Sequence, residues 1–396
     1  MCQFFYPEYI TSALLPYQTA TYLADKGKSV DVICGYPEEY IAEQVESIKK
    51  NETINGINIH RVKYLQLSRE NKFLRLINYF SFVLAMLFQL PKIKRYKAIM
   101  VYSNPPILPI VAILSNMLFK TKIIFVCYDV YPEIAEKTNI LNPNGIISRI
   151  MHIVNNQLFK RASSVVALSE DMKQFLVNNR NIESEKISVI PNWATEESEK
   201  SLNTKQASKS TSKPFTISYL GNMGIPQDLD TILNAIKQEK LKNNPNFQFV
   251  FAGHGNQKEK VEKFIQVNDL NNVKVHGFLT GEKFDEIIAD TNAFLITLKE
   301  ELLGLAVPSK FYTYLLQGKM MINIMSNNAD ISKEIKRHGL GITVANNEYV
   351  NLADKIFALA NETPDYDNTS VYYEYYTKDI QLNKYDEVIT KIVGGE

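Results

Sequence analysis

AVPSKFYTYLLQGK, residues 306–319, follows the apolar run 294–298 and opens a helix, with Pro308 and Ser309 at its start and Gly318 at its end. The run before it has the character of a buried strand. A helix that begins directly after a parallel strand gathers unpaired N–H groups and a positive dipole end, and so attracts anions. Lys310 adds a full positive charge to that first turn. A lysine there is disfavoured unless a bound anion offsets the repulsion; the plain alternative is a solvated side chain.

Working outward, the same strand–helix alternation surrounds this stretch. Strands are expected at 216–220, 247–252, 273–276, 294–298, 320–324 and 342–344, with helices between them, which predicts a doubly wound α/β domain. Ahead of it lies TEESEKSLNTKQASKSTSK (195–213), almost free of apolar residues and therefore a linker. A first alternation precedes the linker. Residues 2–6 have the character of the end of a strand stopped by Pro7. A helix over 12–26 ends at Gly27, and strands are expected at 29–34, 57–62, 98–102, 122–127, 164–168 and 187–190. Residues 36–55 are polar and loop-like, helices are expected over 106–119 and 143–160, and Ser169 should cap another. An amphipathic helix over 373–392 ends the chain. The expected architecture is two Rossmann-like domains facing a cleft: 1–195 together with 375–396, the linker 196–213, and 214–374. MCQFFYPEY is short for a first strand, so either that strand is short or the true start lies upstream.

Composition narrows the function. The 396 residues carry a net charge of +1, which argues against a broad nucleic-acid footprint. Cys2, Cys34 and Cys127 form no CxxC or Cys/His cluster and are expected as buried, reduced thiols. Pro7 and Glu8 interrupt any early apolar region, so no signal peptide is expected and a cytoplasmic location follows. FLRLINYFSFVLAMLFQL (73–90) is apolar nearly all round, with Arg61, Lys63, Arg69 and Lys72 before it and Lys92, Lys94, Arg95 and Lys97 after it. It is a core helix, an interfacial helix or a short transmembrane span; in the interfacial case, charging Phe80 and Phe82 should weaken membrane contact.

Ligands of doubly wound sheets bind outside the carboxyl ends of the strands. GNMGIPQD (221–228) stands at such an end, where Gly221 and Gly224 permit close backbone approach, although a tight structural turn explains them equally well. It has neither the Gly-Lys-Ser/Thr ending of a P-loop nor the GxGxxG spacing. GHG (253–255) stands at the next end; His254 is a ligand or a surface residue. No Ser-His-Asp order, zinc spacing or carboxylate pair stands out. Asp129, at the end of the strand 122–127, is placed as a catalytic or orienting carboxylate, or as a turn former.

Taken in order, these motifs resemble family 4 of the retaining glycosyltransferases, which have the GT-B fold. The resemblance is carried by FFYPEY 4–9, SNPP 103–106, DVYPE 129–133, ALSEDM 167–172, ISVIPNW 187–193, YLGNMG 219–224, FAGHG 251–255, VHGF 275–278, VPSKFYTYLLQGK 307–319 and GLGITV 339–344. It looks most like the bacterial enzymes that build capsule, exopolysaccharide or O-antigen repeats. The resemblance implies a nucleotide-sugar donor, with UDP favoured, held by the C-terminal domain, a lipid-linked acceptor of undecaprenyl type held by the N-terminal domain, and transfer with retention. It also implies that no metal or other cofactor takes part. Carried over, Asp129 and Lys310 are the catalytic candidates. Gly221, Asn222, Gly224, Gln227, Gly253, His254, Gly277, Pro308, Ser309 and Thr313 are the donor-binding ones. The final helix would return to the first domain. Peripheral contact with the inner membrane face is expected through 61–97.

The chain departs from the family in ways that bear on mechanism. Asn222 and Gln227 stand where many relatives carry Arg and Lys, and Leu305 and Thr313 stand where many carry a pair of Glu. Thr11 and Ser12 occupy a loop where Gly is common. These losses place more of the burden on Lys310 and raise the alternative of an inactive partner that scaffolds another transferase. A sugar-nucleotide epimerase of similar fold would need carboxylates and histidines that are not found.

Overall fold

In the computed structural model, residues 1–37, 48–68, 72–194, 214–279, 281–359 and 368–394 are described. The chain forms two compact units. Unit one comprises Met1–Thr195, Gly304–Val307 and Lys378–Glu396; unit two comprises Glu196–Leu303 and Pro308–Thr377. The proposed linker 195–213 lies outside the described residues.

Unit one contains α1 (Thr11–Asp25), β1 (Val30–Gly35), β2 (Asn51–Ile54), β3 (Ile57–Val62), α2 (Lys72–Leu87), α3 (Leu90–Ile93), β4 (Ala98–Tyr102), α4 (Pro109–Phe119) and β5 (Lys122–Cys127). It continues with α5 (Glu133–Lys137), α6 (Ile146–Arg161), β6 (Ser164–Ala167), α7 (Glu170–Arg180) and β7 (Ile187–Val189). Its strands form two sheets, β1-β3-β2 and β4-β5-β6-β7, with every pairing parallel except β2 with β3. Both sheets share one core, in which Val32, Cys34 and Ile59 meet Ile124, Val126 and Val166. Ser169 caps α7, its hydroxyl accepting the Met172 N–H at 3.2 Å.

Three sequence expectations change here. The loop expected over 36–55 contains β2, joined to β3 by Asn55 and Gly56, both at positive φ. Asn-Gly is the sequence of a two-residue hairpin turn, and the register places Ile54 opposite Ile57 across it. NETI hid the strand because none of its residues is buried. Second, the apolar run 73–90 is split into the 16-residue α2 and the short α3, and no helix among the described residues is long and apolar enough to cross a membrane. Phe82 is fully buried while Phe80 is 63% exposed, so the two are not equivalent: a charge at Phe82 would disrupt the core. Third, Arg61 is no surface cation. It is buried, paired with Glu52, and donates to the carbonyls of Lys49 (2.8 Å) and Tyr6 (2.9 Å).

Cys2, Cys34 and Cys127 are buried free thiols of unit one, and burial raises all three pKa values, that of Cys2 to about 11. The terminal α15 (Lys378–Gly394) belongs to this unit, where Leu382 and Tyr385 join the core and Tyr385 meets the Trp193 ring edge-on.

Unit two contains β8 (Phe215–Leu220), α8 (Leu229–Ile236), β9 (Phe247–Ala252), α9 (Lys258–Val267), β10 (Val273–His276), α10 (Glu282–Asp290) and β11 (Ala293–Thr297). These are followed by α11 (Lys310–Leu316), β12 (Met320–Ile324), α12 (Asp330–His338), β13 (Gly341–Val344), α13 (Tyr349–Leu359) and α14 (Asn368–Tyr375). The six strands are all parallel in the order β10-β9-β8-β11-β12-β13. Beginning at β8, the chain winds outward to one side, then returns beside β8 and winds to the other. The order reverses between β8 and β11, and ligands of doubly wound sheets bind at that switch point.

Candidate active site

The switch point of unit two collects the residues singled out in the sequence. The turn after β8 begins at Gly221, with φ +119°. A Cβ there would lie 2.8 Å from Lys310 Cε, so glycine is what lets the lysine side chain pass. Lys310 Nζ sits 3.7 Å from the centroid of the Tyr219 ring, a cation–π contact. The lysine is half-buried, and removal of its ammonium from water lowers its pKa to about 7.

Tyr314 pins the helix that carries Lys310. Its ring stacks on Phe294 of β11 at 4.2 Å, and its hydroxyl lies 3.3 Å from Leu220 N and 3.2 Å from Leu220 O. One side chain thus ties α11 to both strands that flank the switch point, near the start of β11 and at the end of β8. The helix itself is seven residues long and has no side-chain cap. The N–H groups of Phe311 and Tyr312 bond to the carbonyls of Pro308 (3.1 Å) and Ser309 (3.3 Å). The turn therefore has fewer free N–H groups than the sequence suggested.

The glycine turns interlock. Gly253, at φ +147°, lies so close to the first turn that a Cβ would fall 2.0 Å from Gly221 O. Met223 N–H donates to His254 O at 2.6 Å, and Tyr219 OH donates to Asn222 O at 2.6 Å. Gly224 N–H meets the Gln227 side chain, donating to Oε1 at 2.8 Å, so this N–H is already partnered. Gln257 donates to the carbonyls of Gly224 and, at 3.0 Å, Gln227, holding the same loop from β9's side. His254 is exposed, with its ring edge-on to Phe278 at 5.7 Å. Gly277 is exposed with open space where a Cβ would stand. Thr313 lies one turn beyond Lys310 on α11.

Asp129 belongs to unit one. Ser103 Oγ accepts the N–H groups of Tyr128 (3.0 Å) and Asp129 (3.2 Å), which fixes the chain as it leaves β5. Antiparallel bridging to Ala306 and the Val130 N–H to Leu305 O bond (2.9 Å) tie the same turn to Gly304–Val307. Burial raises the Asp129 carboxyl to about 6. Leu305, where many relatives carry glutamate, is buried and supplies its carbonyl to this tie.

Sequence reasoning did not single out Tyr219, Gln257, Tyr314 or Ser103. Tyr219 and Tyr314 lie in apolar runs and look like core residues; their polar roles emerge when β8, β9 and α11 are side by side. Among the described residues no three His, Cys, Asp or Glu side chains gather where they could hold a metal ion.

Comparison with known proteins gives this geometry a context. Residues 16–197 match the family model Glycosyltransferase Family 4, and residues 201–374 match Glycosyl transferases group 1. The chain is a family 4 glycosyltransferase. Its fold is GT-B. The chain is similar to a probable glycosyltransferase WbjE of Pseudomonas aeruginosa, 25% identical over 305 residues, which are 74% of each chain. Among solved structures, Anabaena Alr3699/HepE in complex with UDP-glucose is similar, with TM-score 0.66, 16% identity and coverage of 96% and 95%. So is WaaG, a glycosyltransferase involved in lipopolysaccharide biosynthesis, with TM-score 0.64, 13% identity and coverage of 100% and 99%. At these identities the two structures bear on the fold.

Proposed function

We propose that this transferase moves a sugar, with retention, from a UDP-linked donor to a lipid-linked saccharide at the inner membrane face, during surface-polysaccharide synthesis. The observation that carries the donor half is Lys310 beside Gly221 at the switch point, a cation at a strand end where backbone can approach a diphosphate closely. The lysine would neutralise charge that grows on the leaving diphosphate as the bond to the sugar breaks. Asp129, held by Ser103, would orient the acceptor hydroxyl or the donor sugar. Metal independence is part of this proposal: the leaving group would be stabilised by Lys310 and by backbone donors. A relative that binds UDP-glucose supports UDP as the nucleotide.

The acceptor half rests on one face of unit one. Helices α2, α4 and α6 pack side by side. Between Glu70 and Asp129 the sequence has eight lysines and arginines and no acid, and α6 has no acid either. This face nevertheless exposes Phe80, Leu84 and Phe88 of the α2 region and Ile146, Ile150 and Ile153 of α6. Apolar side chains among cations without anions suit an anionic lipid surface.

The test incubates the protein with UDP-glucose, UDP-galactose, UDP-N-acetylglucosamine and their GDP counterparts, reading thermal stabilisation and, with lipid-linked saccharide, transfer. A UDP-sugar should stabilise the protein, and transfer should vanish in Lys310→Ala while persisting in an exposed control, Lys240→Ala. Stabilisation by GDP-sugars alone would overturn the nucleotide assignment. Binding without transfer to any lipid-linked acceptor would favour the scaffolding alternative.

A further inference from the structure

Lys310 reaches its place by crossing the sheet of unit two. Ala293 pairs with Ile217 and Phe294 with Ser218, and successive side chains of a strand point to opposite faces. Tyr314 of α11 stacks on Phe294, which puts α11 on the Ser218 face. Tyr219 points to the other face, into the core it shares with Ile217, Leu229, Phe251 and Leu295. Yet Lys310 Nζ lies 3.7 Å from the centroid of the Tyr219 ring. The lysine side chain therefore passes over the end of β8, where Gly221 leaves it room, and rests its ammonium on a ring that belongs to the opposite face.

A lysine gives up water and rotamer freedom only where something holds it. Within unit two, the titratable side chains on the elements around it are Tyr219 of β8, Asp228 before α8, His254 after β9, Lys299, Glu300 and Glu301 after β11, and Tyr312 and Tyr314 of α11. Among the described residues none makes a hydrogen bond or ion pair with the lysine ammonium, and burial alone lowers its pKa. The ring is what remains to hold it. A carboxylate in that position would fix the ammonium and cancel the charge it presents. The face of a neutral ring fixes it and leaves the charge whole.

We propose that Tyr219 is the positioning residue of Lys310: its ring face holds the ammonium at the carboxyl end of β8 with its charge undiminished for an incoming anion. The inference rests on the proposed meeting of Lys310 with the donor diphosphate. The diphosphate approaches from the side away from the ring, so the contact persists in the complex. The phenol hydroxyl serves separately. It donates to Asn222 O at 2.6 Å and steadies the turn over which the lysine passes. The ring's part has a signature in pH. With a weaker ring face the free protein holds the lysine proton less tightly, so affinity for the diphosphate begins to fall at a lower pH. Well below that pH the lysine is charged with either ring, and affinity is the same.

The experiment replaces Tyr219 by phenylalanine and then by singly, doubly and triply fluorinated phenylalanine, which drain the ring face with little change of shape. Each form of the full chain is titrated with UDP-glucose at about pH 5.5 and about pH 8. Tyr219→Phe keeps the ring and should bind within about threefold of the native protein at both. Along the fluorinated series, affinity at the higher pH should fall stepwise by about tenfold, its decline setting in about one pH unit earlier, while affinity at the lower pH stays level. Level affinities at the higher pH, or equal losses at the two, overturn the proposal. Lys310→Ala separates this inference from the reading beneath it, and in that background the fluorines should have no effect. If Lys310→Ala binds UDP-glucose as tightly as the native protein, the diphosphate contact falls and takes this proposal with it. If it binds weakly while the fluorinated series stays level, the role of Tyr219 alone falls.

Discussion

Lys310 is a lysine whose charge is in balance near neutrality. Desolvation lowers its pKa to about 7, and a diphosphate beside it would raise that value again. Binding of a sugar diphosphate should therefore take up a proton above pH 7. The sign follows from linkage: the free protein loses the lysine proton as pH rises through about 7, while the complex keeps it, so affinity falls with rising pH. Between pH 7.5 and 8.5 the UDP-glucose affinity should drop by about eightfold, while Lys310→Ala should bind weakly and lose this slope. Calorimetry in buffers of different ionisation heat measures the proton uptake directly. An unchanged affinity across that range would show that the lysine stays charged without ligand. For turnover, removal of one such charge should cost about a hundredfold or more in kcat.

At the scale of elements, the glycine turns of unit two act as one piece. Gly253 abuts Gly221, which abuts Lys310, so a change two strands from the lysine reaches it. Gly253→Ala puts a Cβ 2.0 Å from Gly221 O at a φ of +147°, and both effects oppose the substitution. It should cost about 2 kcal/mol or more of stability and weaken UDP-glucose binding by at least about tenfold. Gly277→Ala, with open space at its Cβ, should change neither by more than about 0.5 kcal/mol. Titration of the two variants by UDP-glucose, alongside their thermal unfolding, tests the pair.

The same elements show what was legible in the chain. The strands of unit two are mostly buried, so they stand out as unbroken apolar runs: Phe247–Ala252 and Met320–Ile324 were readable for that reason. β2 was missed because Asn51–Ile54 never enters the core, although Asn55-Gly56 announced its turn. Lys310, Gly221 and Gly253 were visible as residue types at strand ends. The partnership of Gly224 with Gln227, and the ring beneath Lys310, were not visible, since each depends on a turn or a strand neighbour that no local pattern encodes.

At the scale of the whole molecule, the acid-free face of α2, α4 and α6 makes a claim about where the protein resides. Vesicles rich in phosphatidylglycerol should carry the protein in flotation, and phosphatidylcholine vesicles should carry far less. Phe80→Glu and Ile150→Glu should each reduce flotation by about tenfold, and added salt should reduce it further. Protein that stays at the bottom of the gradient with anionic vesicles would remove the membrane contact from the proposed function.

All three cysteines and the lone tryptophan, Trp193, belong to unit one, and unit two has none of either. The thiols are buried and held protonated, so an alkylating reagent reaches them as that unit opens. Trp193 is likewise enclosed, its indole N–H bonded to Gln18 at 2.6 Å. The chain thus carries a built-in reporter for one half of itself. Thiol trapping and indole fluorescence follow the half with Asp129 and are blind to the half with Lys310. A difference between their signal and the loss of total helix signal would reveal whether the two halves of the enzyme melt together or in turn.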